Sequence, residues 1–286
     1  MKIIAAAVQM PAIPLAVATN LERADNLLRQ AHEAGAELAV LPEMFNTGYS
    51  HCPDFGPYAE DAEGPTLTHL RARSRLWGMC IAAGFVEHEG RHLYDSLGFV
   101  TPDGDTHIYR KRNLVFWEPS RFRAGRAPLV VSTRFGRIGF AICADMIFRR
   151  VWRDYHERID MAVVSAAWPD FADRNTGRRD WLLGLLGPLS AAIPGRVAQD
   201  LGIPVVFANQ CGLTKTKVPV LQTQIADRFA GRSSICDGRH GPPALAGVEE
   251  EIVLSPVTLH PQRGLKTWRS MSPSAPVASS FGSVPS

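Results

Sequence analysis

The chain has 286 residues, 45% of them hydrophobic and 21% charged, with a formal net charge of +3. That length suits one large α/β domain or two small ones, and the composition is ordinary for a soluble globular protein. The small net charge and the lack of a Lys/Arg tract argue against a nucleic-acid groove. No apolar run is long enough to suggest a membrane span. Five cysteines, widely spaced and without a Cys-x-x-Cys pair, give no disulfide framework and fit a reducing cytoplasm.

In chain order, Ile3 to Val8 reads as a buried strand. Met1-Lys2 and this apolar run faintly suggest a secretory leader, but Gln9, Pro11 and Pro14 interrupt it, so none is expected. Asn20 suits an N-cap for a helix whose face carries Leu21, Ala24, Leu27, Leu28 and Ala31, ending at Gly35. Glu37 to Leu41 is the next strand, and the aperiodic stretch from Phe45 to Gly64 is a loop directly after Glu43. Pro65 opens a helix that runs to Trp77.

Met79 to Val86 and Leu93 to Val100 read as a strand hairpin. Its connection, His88-Glu89-Gly90-Arg91-His92, matches the His-Glu-x-x-His zinc pattern. That chemistry needs a helix to put both imidazoles on one face. Gly90 between two strands describes a solvated turn instead, and no metal is expected. A turn at Thr101-Pro-Asp-Gly104 leads to a strand that ends at Lys111, and a loop then carries Glu118.

Leu129 to Ser132 and Arg137 to Ile142 form another hairpin, which stops at Cys143. Met146 to Tyr155 carries apolar residues at helical spacing, and the arginines 149, 150, 153 and 158 read as its solvated face. Ile159 to Val164 and Ile203 to Ala208 are strands. Between them, Trp181 to Leu201 is a helix broken or kinked by Gly184, Gly187, Pro188, Pro194 and Gly195. The second half thus echoes the first. Residues 1–261 read as one domain, and residues 262–286, rich in Ser, Pro and Gly, as a tail.

A lone cysteine is most often a small buried core residue, and a lone charged residue a solvated one. Three stretches together point elsewhere. Glu37-Leu-Ala-Val-Leu-Pro-Glu43, Ile108-Tyr-Arg-Lys111 and Arg137-Ile-Gly-Phe-Ala-Ile-Cys143 each end an apolar strand in a reactive side chain. In this order, Glu, Lys and Cys resemble the catalytic triad of the nitrilase, or carbon–nitrogen hydrolase, superfamily. Ala7-Val-Gln-Met10, Ile142-Cys143-Ala-Asp145 and Ala208-Asn209 extend the resemblance from Ile3 to about Leu259.

The resemblance implies an α/β fold, the four-layer α-β-β-α sandwich of that superfamily. It also implies thiol-dependent hydrolysis of a non-peptide carbon–nitrogen bond without a cofactor. Cys143 would be the nucleophile, Glu43 the proton shuttle, and Lys111 the cation that favours the thiolate and then, with the Ala144 N–H, holds the oxyanion. Glu118 stands where the family has a second glutamate that orients the lysine and contacts substrate. Trp168, after the strand that follows Cys143, and Arg174 on the next loop are expected to bind substrate, the arginine through a carboxylate. Solvation of the loop arginines is the plain alternative.

Nitrilases typically carry Trp-Glu after the cysteine. Ala144-Asp145 is closer to amide and carbamoyl hydrolases, so a small linear amide or N-carbamoyl compound is the expected substrate. A nitrilase, or a non-catalytic binding or regulatory member of the fold, is the alternative. Asn113 stands where a histidine is common. Gly-x-Ser-x-Gly is absent, and no histidine sits in a motif that pairs it with Cys143. The family commonly pairs through helices beside the site, so a homodimer or higher homo-oligomer is expected. Trp152 or a near neighbour would cross its interface.

Overall fold

The structure, a computed structural model, describes residues 1–51, 54–170, 186–218, 223–238 and 242–260. The expected tail and Arg174 therefore lie outside the described residues. Two six-stranded sheets form the centre. The first has the order β14-β1-β2-β3-β4-β5, built from Glu251–Thr258, Lys2–Gln9, Leu38–Val40, Cys80–Glu89, His92–Val100 and Thr106–Arg110. The second has the order β13-β12-β9-β8-β7-β6, built from Ala244–Leu245, Ser234–Cys236, Val205–Asn209, Met161–Ala166, Gly136–Ile142 and Val130–Thr133. A separate hairpin pairs β10 (Cys211–Val218) with β11 (Thr223–Ala230).

Each sheet has three parallel strands at its middle, β1-β2-β3 and β7-β8-β9. Parallel neighbours need crossovers, and helices supply them. Helix α1 (Val17–Glu33) and α2 (Pro65–Trp77) cross over the first sheet, α3 (Arg149–Tyr155) and α4 (Leu186–Leu201) the second. Leu27, Leu28, Ala31, Leu67 and Leu70 of α1 and α2 share one core with Ala6, Val8, Ala39 and Ile81 of the first sheet. The other core joins Ala5, Leu38, Leu97 and Phe99 to Ile138, Phe140, Val163 and Phe207 of the second sheet. Phe99 and Phe140 meet between the sheets at 5.1 Å between ring centroids. The layers are helix, sheet, sheet and helix, as the resemblance implies.

The expected bounds of α2 hold, set by Pro65 at its first turn and by Gly78, which closes it at φ 61°. The turn at residues 88–92 is also a hairpin tip. Glu89 pairs with His92, and Gly90 takes φ 58°, so the two histidines share no helix face.

Two expectations need correction. Asn20 is no N-cap: it lies inside α1, buried, and its amide bonds the Ile13 N–H and the carbonyls of Ile13 and Asn46. It secures the incoming loop rather than the helix end. Residues 146–155 are not one helix. A short 3-10 turn, Cys143–Ile147, stops at Phe148, whose extended backbone (ψ 111°) separates it from α3. Trp152, expected with its near neighbours at a dimer contact, packs within its own chain. It is 6% exposed, and its Nε1 donates to the Met146 carbonyl at 2.8 Å, while Tyr155 is buried with its hydroxyl on the Phe140 carbonyl. These aromatics bury their bulk within the chain because the break at Phe148 lets α3 fold back on the sheet.

Strand β14 returns from the carboxyl end of the described chain to pair antiparallel with β1 along its full length. Nothing in the sequence reading placed it there. Its alternation is weak, and only the partner strand decides its position.

Candidate active site

The carboxyl ends of parallel strands open a crevice in α/β sheets, and here two sheets face each other so that their crevices merge. Glu43 follows β2, Cys143 follows β7, Ala167 follows β8 and Gln210 follows β9. The Glu43 peptide, at the end of a first-sheet strand, is fixed from the second sheet. Its N–H donates to the Ala166 carbonyl at 3.3 Å, and its carbonyl accepts from Gln210 Nε2 at 2.7 Å. Ser165 Oγ holds the Leu41 carbonyl at 2.8 Å. Gln210, the residue after the expected Ala208-Asn209 motif, was not singled out in the sequence.

The Glu43 carboxylate accepts the Ala167 N–H at 2.6 Å and the Lys111 ammonium at 2.6 Å. Lys111 also donates to Glu118 at 2.5 Å, and Glu118 accepts the Tyr49 hydroxyl and the Val115 N–H, both at 2.8 Å. The side chains of Glu43, Lys111 and Glu118 are fully buried. Burial alone would depress the Lys111 ammonium. Glu43, Asp95 and Glu118 more than offset it and hold its pKa well above that of an ordinary lysine.

Asp95 is the acidic residue that the sequence reading missed. It is fully buried on β4, with Oδ2 3.2 Å from Lys111 Nζ. Period-two alternation puts it on the same face as Leu97 and Phe99, which both lie in the core between the sheets. A carboxylate on such a face was the available signal. One oxygen from each of Glu43, Asp95 and Glu118 lies within 4.8 Å of the others, a spacing that could surround a cation. The Lys111 ammonium already fills that role, in contact with all three carboxylates.

Cys143 is 6% exposed and sits at φ 44°, a left-handed conformation that is costly for a side chain with a Cβ. Met44 (φ 46°) after Glu43 and Phe116 (φ 54°) before Glu118 are also left-handed, so strained backbone gathers around these residues. Burial and the Glu43 charge push the Cys143 thiol well above its usual pKa, against the opposing pull of Lys111. Lys111 does pull toward the thiolate, as its charge implies, while burial first and then the Glu43 charge pull the other way.

Asp145 organises the turn behind the thiol. It accepts Tyr109 Oη at 2.7 Å, the Asn113 N–H at 2.8 Å, Asn113 Nδ2 at 2.6 Å and the Ile142 N–H at 3.2 Å. It thereby ties the strand end of Cys143 to the segment after Lys111, and Asn113 serves as its donor. Ala144 (3% exposed) lies in the 3-10 turn beside Cys143. Trp168 is buried at 3%, and its N–H donates to Asn209 Oδ1 at 2.7 Å. An aromatic cluster of Tyr49, Phe55, Trp117, Phe122 and Phe229 packs beside Glu118, with Tyr49 and Trp117 rings 4.9 Å apart.

Solved structures share this architecture. A carbon–nitrogen hydrolase superfamily protein from Xanthomonas campestris, with an arsenic adduct in its active site, superposes with a TM-score of 0.74 at 23% identity. The match covers 90% of this chain and 91% of that one. An amidase from Nesterenkonia sp. gives 0.71 at 23% identity over 90% of each chain. A mutant of that amidase, which bears the acetamide moiety of fluoroacetamide on its active-site cysteine, gives 0.72 at 23% identity over 90% of each chain. At these identities the likeness shows the fold.

The sequence carries the assignment further. The carbon-nitrogen hydrolase family model matches residues 4–238, and the chain belongs to that family. A hydrolase encoded in the pqqF 5' region of Pseudomonas protegens is 30% identical over 253 residues, 86% of this chain and 79% of that protein. An N-carbamoylputrescine amidase of Arabidopsis thaliana is 32% identical over 143 residues, 46% of this chain and 48% of that protein. A nitrilase of Pyrococcus abyssi is 36% identical over 133 residues, 45% of this chain and 51% of that protein, so this alignment spans about half of each.

Proposed function

We propose that this protein hydrolyses the carbon–nitrogen bond of a small linear amide or N-carbamoyl compound through a thioester on Cys143. The observation that carries the reading is Lys111 Nζ held between Glu43 at 2.6 Å and Glu118 at 2.5 Å, with the buried Cys143 thiol in their field. With burial and Glu43 holding the thiol pKa up, a base must take its proton as the sulfur attacks, and Glu43 is that base. The carbonyl oxygen gains negative charge, which Lys111 and the Ala144 N–H stabilise. Glu43 returns the proton to the departing nitrogen, so ammonia or an amine leaves. A water then gives its proton to Glu43, attacks the thioester and releases the acid and the thiol.

Glu118, fixed by Tyr49 and Val115, keeps Lys111 aimed, and the aromatic cluster beside it bounds a site for a small substrate. Trp168 and Arg174 are proposed substrate contacts, the arginine for a substrate carboxylate. Ala144-Asp145 after the cysteine supports an amide or carbamoyl substrate over a nitrile. Among the described residues no helix is long and apolar enough to cross a membrane. A free catalytic thiol suits a reducing cytoplasm, where we place the reaction. A homodimer or higher homo-oligomer belongs to the same proposal, with the exposed Ile147 and Phe148 rather than Trp152 at its contact.

The test is a panel of amides, N-carbamoyl compounds and nitriles scored for ammonia release, with mass spectrometry of the acyl-enzyme. Turnover of amides or carbamoyl compounds with an adduct on Cys143 is expected. Release from nitriles alone would replace this reading with a nitrilase.

A further inference from the structure

Asp95 stands out among the buried groups because it has a charge to hold and no donor to hold it. Neither of its carboxylate oxygens accepts a hydrogen bond, and the Lys111 ammonium at 3.2 Å approaches Oδ2 off the angle that a bond needs. Its neighbours are better served. Glu118 accepts three donors, Tyr49, Lys111 and Val115, and Glu43 accepts two, Lys111 and Ala167. Five hydrogen bonds thus stabilise charge on the two glutamates, while Asp95 accepts none and has only the Lys111 charge beside it.

The charge balance points the same way. Three ionised carboxylates around one ammonium leave two uncompensated negative charges in a place with no exposure to water. Uncompensated buried charge is strongly disfavoured, and a carboxyl in that position takes up a proton instead. One proton halves the excess. It settles where the fewest donors would be lost, and once there it makes a carboxyl–carboxylate hydrogen bond possible between Asp95 and Glu43.

We propose that Asp95 is a positioning residue of the site, which carries its proton at rest and donates it in a hydrogen bond to Glu43. The groups that face it are Glu43 from the end of β2, Lys111 after β5 and Glu118 from the following turn, with Cys143 and Tyr49 beyond Lys111. On the opposite face of β4, Ser96 meets Glu87, which pairs with Arg110 and lies away from this cluster. Burial and then the Glu43 charge hold the Asp95 carboxyl well above the usual aspartate range, against Lys111.

The neutral carboxyl orients the Glu43 base toward the thiol. It also spares Lys111 a third full counter-charge, which leaves more of the ammonium's field for the substrate oxyanion. Loss of the proton at higher pH would cancel both effects, so activity falls on the alkaline side as Asp95 ionises. The sign follows from the raised pKa: the active form is the protonated one, present below that pKa and lost above it.

This inference rests on the triad reading above, so its test includes one arm that needs no turnover. Infrared difference spectra of the parent minus Asp95→Asn are expected to show the carbonyl stretch of a protonated carboxylic acid at neutral pH. A difference band of an ionised carboxylate instead would overturn the proposal, whatever the enzyme's substrate. In the second arm, Asp95→Asn, whose amide can still donate to Glu43, should keep kcat within about tenfold of the parent, while Asp95→Leu loses about 100-fold or more. The alkaline limb of kcat/KM should move to higher pH in Asp95→Asn. An alkaline limb at the same pH in the parent and Asp95→Asn, or equal loss in both variants, would also overturn it. If Asp95→Asn does not fold, carbon-13 spectra of aspartate-labelled parent decide instead, and the lack of any neutral aspartic acid carboxyl at neutral pH refutes the assignment.

Discussion

Gly84 lies directly against Glu43: a Cβ on Gly84 would stand 2.5 Å from the Glu43 Cα and 2.8 Å from the Met44 nitrogen. The two segments are also bonded, Gly84 N–H to the Pro42 carbonyl at 3.2 Å and Phe45 N–H to the Gly84 carbonyl at 3.0 Å. The atoms a side chain would meet are backbone, which cannot rotate away. Gly84 therefore sets where the proposed base stands, from a strand with no reactive residue of its own in the triad.

Gly84→Ala is expected to displace the Glu43 backbone by a few tenths of an ångström or more. Overpacking of this kind costs about 1–3 kcal/mol, and misplacement of a catalytic group costs rate in addition. Thermal unfolding and kcat should both fall, with kcat reduced by more than tenfold. A variant with normal kcat would show that Glu43 tolerates displacement and is not the positioned base.

Cys143→Ala should abolish turnover while the fold persists, since loss of a covalent nucleophile costs many orders of magnitude in rate. The left-handed backbone at this position, φ 44°, adds a second expectation. Cys143→Gly should be equally inactive, yet at least as stable as the alanine variant, because glycine adopts that region without a Cβ penalty. Turnover by the alanine variant within tenfold of the parent would remove Cys143 from the mechanism.

The resting thiol can be read directly. Burial and Glu43 raise the Cys143 pKa well above 9.0, so its folded form holds the proton through neutral and mildly alkaline pH and loses it only above that range. Burial also raises Cys80 to about 11 and Cys211 to about 12. The ultraviolet thiolate band of the parent minus Cys143→Ala should be absent at neutral pH. A thiolate present there would mean that Lys111 outweighs the carboxylates at the sulfur.

Assembly and packing can be separated by two substitutions on neighbouring turns. Trp152 is 6% exposed and bonded to Met146, so Trp152→Ala should destabilise each protomer by about 3–5 kcal/mol. Phe148 is 37% exposed and Ile147 51%, and Phe148→Asp should instead weaken association with little effect on protomer stability. Light scattering with thermal unfolding distinguishes the two. A parent that is monomeric and fully active would refute the oligomer proposal.

The strand ends were legible from local chemistry. Glu43, Lys111 and Cys143 each terminate an apolar run, and Pro65 and Gly78 mark the ends of α2, because alternation, φ restriction and left-handed freedom are properties of short segments. The order of these residues in the chain also carried the family and, with it, the fold. Tertiary structure alone decided the rest. Asp95 shares a face with Leu97 and Phe99, but that face becomes a wall of the candidate site only because β4 lies beside Lys111 and opposite the second sheet. Asn20 reads as a cap and is instead a buried brace for Ile13 and Asn46, since the loop after Glu43 folds over the start of α1. The net electrostatics at Cys143 were not legible from Lys111 alone. Charge acts through space, and the thiol answers to the sum of burial, two glutamates and one lysine brought together from four separate segments.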